Sequence, residues 1–493
     1  MSTFLLGVLL LGSGCGSIVD SLFGSDPEPD QGTSSSSGGF GTSSGASGGD
    51  GEGGVPCTNL CLRQKVCAGG GTTSLTGVVR DPAGKVPLYN VLVYVPNAPV
   101  APIVDGVSCD RCGSVSGEPL VTALTGVDGR FKLDNVPVGA DIPLVVQIGK
   151  WRRQLVMQNV PECTSTELDA EAIRMPRNKR EGDLPRIALT TGGLDTMECW
   201  LKKIGIDESE FTMPSGDGRV SFYAGGQPSG VLASTKRFDQ AHGGRDFGKA
   251  VDFWSSRERL MQYDMVILSC EGVTDPDNKP PEALVAMHDY ANAGGRIFAS
   301  HWHRFWFDTS RKLPVDEAGP EPAGKIVSPF PELATWADRK KPCNSSDDCV
   351  VSGTVDQSFP KGKAMHDWLA QPGVDALTNG QLPIVEARHN VDAVDATKAT
   401  SWITLPNARE GGKTAVQYLS FNTPIPAPEE EKCGRVVYSG LHVSAGDWSG
   451  PDWPSGCHTT DLSPQEKALE FMLFDLSSCI QPDNKAPEPP VVK

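Results

Sequence analysis

The chain has 493 residues, enough for two or three domains, and its 38% hydrophobic and 21% charged content is typical of a globular protein. Its formal net charge is −17, from 44 Lys and Arg against 61 Asp and Glu. The one basic cluster, Arg177 to Arg180, is too small to follow a phosphate backbone, so we expect no nucleic-acid partner.

The N-terminus has the features of an export signal. Phe4 to Leu11 is apolar but too short to span a bilayer, and the small residues Gly12 to Gly14 then precede Cys15. This pattern resembles a bacterial lipobox, in which the cysteine is lipidated and becomes the mature N-terminus. We therefore expect residues 1–15 to be a signal peptide with a lipobox-like end and Cys15 to be the lipidation site. The membrane would be the outer membrane or cell surface of a bacterium; an ordinary signal peptide of a periplasmic or secreted protein is the alternative.

Residues 16–56 are mostly Gly, Ser, Asp and Pro, which predicts a flexible tether. The 14 cysteines agree with export into an oxidising compartment. Apart from Cys15, they form an early set (Cys57, Cys61, Cys67, Cys109, Cys112, Cys163) and a late set (Cys199, Cys270, Cys343, Cys349, Cys433, Cys457, Cys479). We expect the early set to pair within itself and one late thiol to stay free, while the connectivity itself cannot be read from the sequence.

Residues from Thr73 to Pro176 have an all-β pattern of short alternating segments separated by turn residues. The predicted strands include Leu75 to Val79, Val91 to Val95, Arg130 to Leu133 and Leu144 to Ile148. Short motifs follow in the order Gly77-Val-Val, Asp81-x-x-Gly84, Pro87-Leu88, Val91-x-Val93, Thr125-Gly-x-Asp128-Gly129-Arg-Phe131 and Val136-Pro137-x-Gly139. This order resembles the carboxypeptidase regulatory-like domain. The resemblance implies that residues 57–176 form a small transthyretin-like β-sandwich of roughly seven strands, typically non-catalytic, that braces a neighbour or binds surfaces and glycans.

A Cys109-x-x-Cys112 motif lies in an insertion of this pattern, between about residues 97 and 119. Such a motif can be a redox pair or half of a zinc site, but no βαβ pattern surrounds it and the expected compartment is oxidising. A structural disulfide role is therefore favoured, with Cys57, Cys61 and Cys67 as candidate partners.

Beyond a polar linker at residues 177–184, strands and helices alternate up to about residue 480. The predicted strands are Arg186 to Thr190, Val220 to Tyr223 and Asp264 to Leu268, and the predicted helices are Asp195 to Ile204 and Lys249 to Gln262. A helix from Ala283 then ends at Gly294-Gly295 and leads into an apolar run from Arg296 that reaches His301 and His303. This succession predicts an α/β domain over residues 185–480 with a mostly parallel, flavodoxin-like sheet covered on both faces. Ligands of open α/β sheets bind at the carboxyl ends of the strands, which places the two histidines at the expected site.

Residues 308–362 are Pro-rich and irregular, which predicts a long insertion that could act as a lid, with a local disulfide between Cys343 and Cys349. A helix from Ala364 to Ala370 and strands at Ile384 to Ala387, Ser401 to Leu405, Val416 to Phe421 and Arg435 to Tyr438 follow. Ser463-Pro464-Gln-Glu466 is a capping box for a closing helix that reaches Leu476. Residues 481–493 are predicted to be a disordered tail.

The α/β region contains three longer motifs, in this order: Tyr263-Asp264-Met-Val-Ile-Leu-x-x-x-Gly272, Tyr290-x-x-x-Gly294-Gly295-Arg-Ile-x-x-x-His301 and Cys433-Gly-Arg435-Val-Val-Tyr438-Ser-Gly-Leu-His442. Their order and spacing resemble the class I glutamine-amidotransferase-like fold, and within it the trehalose-utilisation (ThuA-like) branch. In that family a cysteine on a strained elbow is the nucleophile, and a histidine and a glutamate follow the late strand. The resemblance places these three functions on His301, His442 and Ser444. Because the nucleophile and the glutamate are replaced, glutaminase activity is not expected.

Two other nucleophiles can be considered. Cys270 also ends a predicted strand and is followed by Glu271, so it is either a nucleophile or the partner of a disulfide with Cys457 or Cys199. A Ser300–His301 dyad is disfavoured because adjacent side chains on a strand face opposite sides. The catalytic candidates are therefore His301, His442, Cys270 and Glu271.

A metal or ligand site is the other interpretation of these residues. On an extended segment His301 and His303 would face the same side, and together with His442, Glu271 and Asp447 they could hold a divalent ion such as Zn²⁺. Alternatively, Trp302, Phe305 and Trp306 seal the edge as an apolar patch, or they form a platform on which sugars stack. Asp195, which follows Gly192-Gly193 at a predicted helix start, is a candidate for ligand binding.

Taken together, the sequence predicts an exported cell-envelope lipoprotein with a non-catalytic binding or structural role, directed at a glycan or an envelope protein. The alternative is a metal- or histidine-dependent enzyme acting on carbohydrate, by analogy with the ThuA-like branch. The clustered histidines and the lid-like segment favour the enzyme. The replaced nucleophile and glutamate and the many cysteines favour the binding protein.

Overall fold

The computed structural model describes residues 57–493 except 114, 170, 227–232, 309–327, 343–348, 409–411, 444–445, 491 and 493. The predicted signal peptide, Cys15 and the predicted tether therefore lie outside the described residues, as do Cys343 and Ser444. No helix in the described part of the chain is long and apolar enough to cross a bilayer.

The first described part contains one small mixed sheet and one antiparallel sheet. Its strands are β1 (Ser74–Val78), β2 (Leu92–Pro96), β3 (Pro119–Leu124), β4 (Arg130–Asp134), β5 (Ile142–Ile148), β6 (Trp151–Met157) and β7 (Ser165–Glu167). One sheet has the order β4-β1-β7, where β1 and β7 are parallel, and the other has the order β3-β2-β5-β6. Gly129 opens β4 with φ +71°, and a Cβ there would lie 2.7 Å from the Cβ of Pro87, so this turn requires glycine.

The second part is built on a sheet of 11 strands, which come from between β8 and β20 in chain order. Its strands and the separate β14 and β17 are β8 (Ile187–Thr190), β9 (Phe211–Thr212), β10 (Val220–Ala224), β11 (Gly248–Lys249), β12 (Met265–Leu268), β13 (Arg296–Ser300), β14 (Ala334–Arg339), β15 (Val350–Val355), β16 (Leu382–Val385), β17 (His389–Val394), β18 (Thr400–Leu405), β19 (Ala415–Thr423) and β20 (Gly434–Ser439). The helices are α1 (Met197–Lys203), α2 (Ala250–Trp254), α3 (Arg257–Leu260), α4 (Pro281–Asn292), α5 (Pro360–Leu369) and α6 (Pro464–Ser477).

The large sheet is mixed, whereas a mostly parallel sheet was expected. The order is β11-β10-β8-β12-β13-β20-β19-β18-β15-β16, with β9 beside β10. Pairs from β11 to β20 are parallel, and pairs from β20 to β16 are antiparallel. The short connection between β18 and β19 allows only an antiparallel pair, because a parallel pair needs a crossover of a dozen or more residues. The structure as a whole is therefore rich in β-sheet, with several sheets and few helices.

Both faces of the large sheet are covered. Alternation within the strands divides their side chains between two cores, as in β12, where Met265 and Ile267 face one core and Val266 and Leu268 the other. The first core also contains the β-sandwich side chains and apolar residues of α1, α5 and α6, and the second contains those of α2, α3 and α4. The first core thus runs through both parts of the chain.

Two sequence expectations about elements need correction, and a third is confirmed. The predicted helix over residues 249–262 is two short helices, because Ser256 is extended and its side chain accepts a hydrogen bond from the Arg259 N–H as a new N-cap. The described part of the predicted irregular insertion contains β14 and β15. The predicted capping box is present, since Ser463 and Glu466 exchange both hydrogen bonds at the start of α6.

Two of the disulfides, Cys109–Cys433 and Cys112–Cys479, join the two parts. The pairs are Cys57–Cys61, Cys67–Cys163, Cys109–Cys433, Cys112–Cys479 and Cys199–Cys457. Cys349 is also disulfide-bonded, and Cys270 is a buried free thiol. The expectation that the early set pairs within itself is wrong for Cys109 and Cys112, because their insertion packs against the large sheet, where Ser108 O lies 2.3 Å from the Cβ position of Gly294. Pairing of Cys270 with Cys199 or Cys457 is also wrong.

The C-terminal segment is ordered at least around Asp483, contrary to the expectation of a disordered tail from residue 481. Asp483 is buried and accepts hydrogen bonds from Arg435 Nη2 at 2.7 Å and Ser420 Oγ at 2.8 Å, with Lys361 Nζ 3.4 Å away. Arg435 is itself buried within β20 and needs anions close to its guanidinium, which the tail supplies together with Asp475.

Candidate functional site

Three reactive side chains meet where adjacent parallel strands end. Cys270 follows β12, His301 follows β13 and His442 follows β20, and these strands are neighbours in the sheet. His301 has a φ of +39°, in the left-handed region that residues other than glycine seldom occupy, and it begins a 3-10 helix, His301–Trp306. Backbone strain of this kind costs about 1–3 kcal/mol and is characteristic of functional positions.

The three side chains form a chain of contacts. His301 Nδ1 lies 3.4 Å from Cys270 Sγ and 2.9 Å from His442 Nε2. Arg388 Nη2 lies 3.1 Å from His442 Nδ1 and 2.5 Å from Glu386 Oε2. A guanidinium only donates, so His442 Nδ1 accepts and the proton of its neutral ring is on Nε2, which donates to His301 Nδ1.

Burial keeps all three groups uncharged. Burial, followed by the nearby Asp195 carboxylate, raises the pKa of the Cys270 thiol to about 12. Burial and the neighbouring His442 and Arg388 hold the pKa of His301 well below its usual value, and burial and Arg388 do the same to the pKa of His442. The cluster at neutral pH is therefore a thiol with two neutral imidazoles, and not a thiolate–imidazolium pair.

His303 lies apart from this cluster, so its predicted place beside His301 is wrong. The backbone turns into a 3-10 helix at His301 instead of continuing as a strand, which sends the two rings in different directions. His303 Nε2 donates to Ser269 O at 2.9 Å, and its Nδ1 accepts from Trp306 Nε1 at 3.0 Å. Burial lowers its pKa to about 4, so it is a neutral core histidine.

Glu271 and Asp447 are also away from the histidine pair. Glu271 is buried in an ion pair with Lys279 and accepts from Asn278 Nδ2 at 3.1 Å. Asp447 pairs with Lys203 at 2.7 Å. Both carboxylates are used in structural ion pairs.

Asp195 is buried between the segments that carry the two histidines. One of its oxygens accepts from Ser300 Oγ, and the other accepts from the Val443 N–H at 2.8 Å. It thereby fixes the residue before His301 and the residue after His442. Its contacts assign it a positioning role next to the cluster.

A cavity of about 300 Å³ opens beside His301 and Trp302. It is lined by Leu194, Gly272, Val273, His301, Trp302, Asp338, Arg339, Lys341, Arg388, His389 and Asn390. The Trp302 ring lies 4.7 Å from the His301 ring and 5.3 Å from the Arg304 guanidinium carbon. The other two residues of the aromatic run, Phe305 and Trp306, belong to the second core and do not line the cavity.

The charged residues of this cavity were missed from the sequence. Arg388 and Asn390 lie at the start of β17, immediately after the apolar β16, and polar residues that follow a strand were the only available signal. The pairing of β14 with β17, which brings Asp338 and Arg339 to the same cavity, joins segments about 50 residues apart and left no local pattern.

No protein-family model and no curated protein matches the sequence. One solved structure that it resembles is that of a protein from Bacteroides uniformis described as ThuA-like, with 9% identity, coverage of 59% of this chain and 90% of that chain, and a TM-score of 0.28. Two interface mutants of a type II cohesin–X-dockerin complex from Acetivibrio cellulolyticus are 14% and 15% identical. They cover 29% and 33% of this chain and 78% and 88% of their own, with a TM-score of 0.14 each. At such TM-scores the similarities define neither fold nor function, so the function has to follow from the site itself.

Proposed function

We propose that the chain is an exported, lipid-anchored protein of a bacterial envelope that binds a carbohydrate in the cavity beside Trp302. The disulfides support an oxidising compartment, and the apolar run before Cys15 supports a lipid anchor. The Gly/Ser-rich residues 16–56 would then hold the folded part at a distance from the membrane. An envelope protein is a less favoured partner, because the cavity is small and concave.

The proposal includes the finer fold assignment, an amidotransferase-like domain of the ThuA-like branch over residues 185–480. The parallel half of the large sheet and the left-handed backbone of His301 at the elbow position support it. With a histidine at this elbow, the domain would have lost the thiol chemistry of the amidotransferases and kept the ligand site at the strand ends.

The lining of the cavity is the observation that carries the carbohydrate proposal. Arg388 pairs with Glu386, Arg339 forms two hydrogen bonds of 2.6 Å with Asp392, and Asp338 pairs with Arg304 at 3.2 Å. Because most of these charges are paired, the cavity offers donors and acceptors at fixed positions, and Lys341, which lies 3.8 Å from the Glu386 carboxylate that Arg388 also uses, leaves it weakly positive. Hydroxyl groups of a sugar suit these fixed donors and acceptors.

Two further features fit a sugar. Trp302 lines the cavity next to the polar groups; it is 5% exposed and its ring contacts His301 and Arg304, so a sugar would meet the accessible edge of the indole. Asn390 Oδ1 is buried and has no hydrogen-bond partner among the described residues, which leaves an acceptor that a ligand hydroxyl would satisfy. The volume is at the lower end for small-molecule sites, which favours a small saccharide.

Equilibrium binding to a panel of mono- and disaccharides tests the proposal. Trp302→Leu should weaken the affinity for the best saccharide about fivefold, because aromatic contacts contribute about 1 kcal/mol beyond buried area. Asn390→Ala, at the same cavity, covers the case in which the Trp302 variant does not fold. The matched control is Trp448→Leu, a tryptophan that is 58% exposed and outside the cavity, and it should leave the affinity unchanged. Binding that is lost in the control, or no saccharide binding at all, would contradict the proposal.

An enzyme acting on carbohydrate is the second candidate, because His301, which lines the cavity, contacts both Cys270 and His442. The raised pKa of the thiol argues against a thiolate nucleophile, so a neutral imidazole would act as the base. Release of reducing sugar that is lost in His301→Asn, with saccharide affinity retained, would favour the enzyme. Asparagine suits this test because it tolerates a left-handed backbone. Binding without turnover favours the binding protein.

A further inference from the structure

The cluster of Cys270, His301 and His442 has the donor set of a transition-metal site. All three ligand atoms lie within 4.8 Å of one another, and all three residues are buried. In a tetrahedral zinc site, neighbouring sulfur and nitrogen ligands are about 3.3–3.8 Å apart. The contacts of 3.4 Å and 2.9 Å at His301 Nδ1 lie near that range. The third pair, Cys270 Sγ and His442 Nε2, lies within 4.8 Å, so side-chain shifts would have to bring all three atoms to one ion.

We propose that Cys270 Sγ, His301 Nδ1 and His442 Nε2 bind one divalent transition-metal ion, Zn²⁺ in its simplest form, with a fourth position open to the cavity. One thiolate and two imidazoles are borderline to soft ligands, which Zn²⁺ prefers over the oxygen ligands that select Mg²⁺ or Ca²⁺. Three protein ligands with one open position are typical of sites that bind or activate a small molecule. This inference does not require that the ligand be a carbohydrate.

Each ligand residue is held in place by one further hydrogen bond. The Gly272 N–H donates to Cys270 Sγ at 3.4 Å, Tyr438 OH donates to His301 O at 3.0 Å, and Gln465 Nε2 donates to His442 O at 2.7 Å. Such supporting contacts are expected of a site that must keep its ligands in place before the ion arrives.

Glu386 provides the outer partner that a metal-bound histidine needs. When His442 binds through Nε2, its ring proton has to be on Nδ1 and needs an acceptor. Glu386 Oε2 lies 3.8 Å from this atom, beyond hydrogen-bond distance, and Arg388 Nη2 now donates to Nδ1 at 3.1 Å. On metal binding Arg388 would give up its bond to Nδ1 and keep its contact with Glu386, so that the carboxylate can move in to accept the Nδ1 proton. A carboxylate that accepts from a metal-bound imidazole is a recurrent arrangement and typically changes metal affinity by about 10- to 100-fold.

The proton balance of binding is simple. The Cys270 thiol loses its proton to solvent as its sulfur bonds to the ion, while the His442 proton moves from Nε2 to Nδ1. His301 keeps its single proton on Nε2. One proton is therefore released for each ion bound, and no oxidant or reductant is involved.

Cobalt titration of the full chain, without a polyhistidine tag, tests this inference. Co²⁺ bound by a thiolate gives a sulfur-to-cobalt charge-transfer band in the near ultraviolet, together with the intense visible bands of a tetrahedral ion. We expect one Co²⁺ per chain, with the charge-transfer band lost in Cys270→Ser and Zn²⁺ displacing Co²⁺. His442→Gln and His301→Asn should also lose tight binding. Glu386→Gln should weaken the affinity about 10- to 100-fold.

His303→Gln is the matched control, because His303 is a buried histidine of the same 3-10 helix outside the cluster, and its bands should be unchanged. No sulfur-to-cobalt band in the folded wild type, or a band that persists in Cys270→Ser, would overturn the inference. Saccharide titrations on the same samples separate the two proposals. A protein that binds saccharide but no cobalt refutes only the metal site, and one that binds cobalt but no saccharide refutes only the carbohydrate proposal.

Discussion

Two disulfides join the β-sandwich to the large sheet. When one of them is removed, the other should limit the loss in the free energy of unfolding. Cys109–Cys433 and Cys112–Cys479 begin 3 residues apart on one segment and end 46 residues apart near the C-terminus. With either bridge intact, the other closes a ring of only about 49 residues, for which the chain-entropy relation gives about 4 kcal/mol. Replacing one cysteine pair by alanine should therefore lower the free energy of unfolding by about 4 kcal/mol, and not by the larger value of an isolated long loop.

Removing both bridges leaves Cys199–Cys457 as the nearest remaining link. The lost ring then spans roughly 110 residues and is worth about 5 kcal/mol, so the total loss is about 9 kcal/mol. This equals much of the stability of an ordinary domain, about 5–15 kcal/mol, and the fourfold variant should be unfolded or rapidly proteolysed.

Guanidinium unfolding followed by tryptophan fluorescence, under non-reducing conditions, measures these losses. The control is the alanine variant of Cys57–Cys61, whose separation of 4 residues predicts a loss of only about 2 kcal/mol. A loss below about 1 kcal/mol for each long-range pair, with two separate transitions in the fourfold variant, would refute the reasoning that both parts unfold as one unit.

Other consequences follow from buried groups. Burial raises the pKa of Asp81 to about 6 and raises the pKa of its neighbour Glu470 well above the usual value. The folded state therefore binds more protons than the unfolded state. The stability that these two groups contribute is fully present below about pH 4 and is lost as the pH rises through 6 and beyond. Glu470→Gln should reduce this loss, and thermal midpoints between pH 4 and 8 that fall equally in both proteins would contradict it. Asp483→Ala should lower the free energy of unfolding by about 3 kcal/mol, because Arg435 stays buried with one carboxylate fewer; chemical denaturation with no measurable loss would show that the tail is not part of the fold. His303→Gln should cost about 1–2 kcal/mol through its two lost hydrogen bonds, and an unchanged denaturation midpoint would contradict the role assigned to them.

Local signals in the sequence were sufficient for many elements near the site. Apolar runs gave β12 and β13, and the glycine stop after α4 is real, since Gly294 has φ +119°. These signals are local because hydrophobic periodicity and glycine conformational freedom act within a few residues. They place Cys270 and His301 at the ends of neighbouring strands, which is the part of the site that the sequence could predict.

The remaining features depend on contacts between distant segments. The left-handed His301 turns the chain into a 3-10 helix and removes His303 from the cluster, and no residue pattern marks that turn. Glu386 and Arg388 reach His442 only because the sheet brings their segments together. The disulfide from Cys109 to Cys433 spans 324 residues, and nothing near either cysteine indicates its partner.

Hydrogen–deuterium exchange with and without the best-binding saccharide is the most direct test of where a ligand binds. We expect protection confined to the strand ends around the cavity, in peptides that cover residues 301–306, 338–341 and 386–390. Protection at these peptides that disappears in Trp302→Leu would support the cavity as the binding site. Protection elsewhere, for example around the exposed Trp448 or on the β-sandwich strands, with none at the cavity, would show that the saccharide does not bind in the cavity beside Trp302.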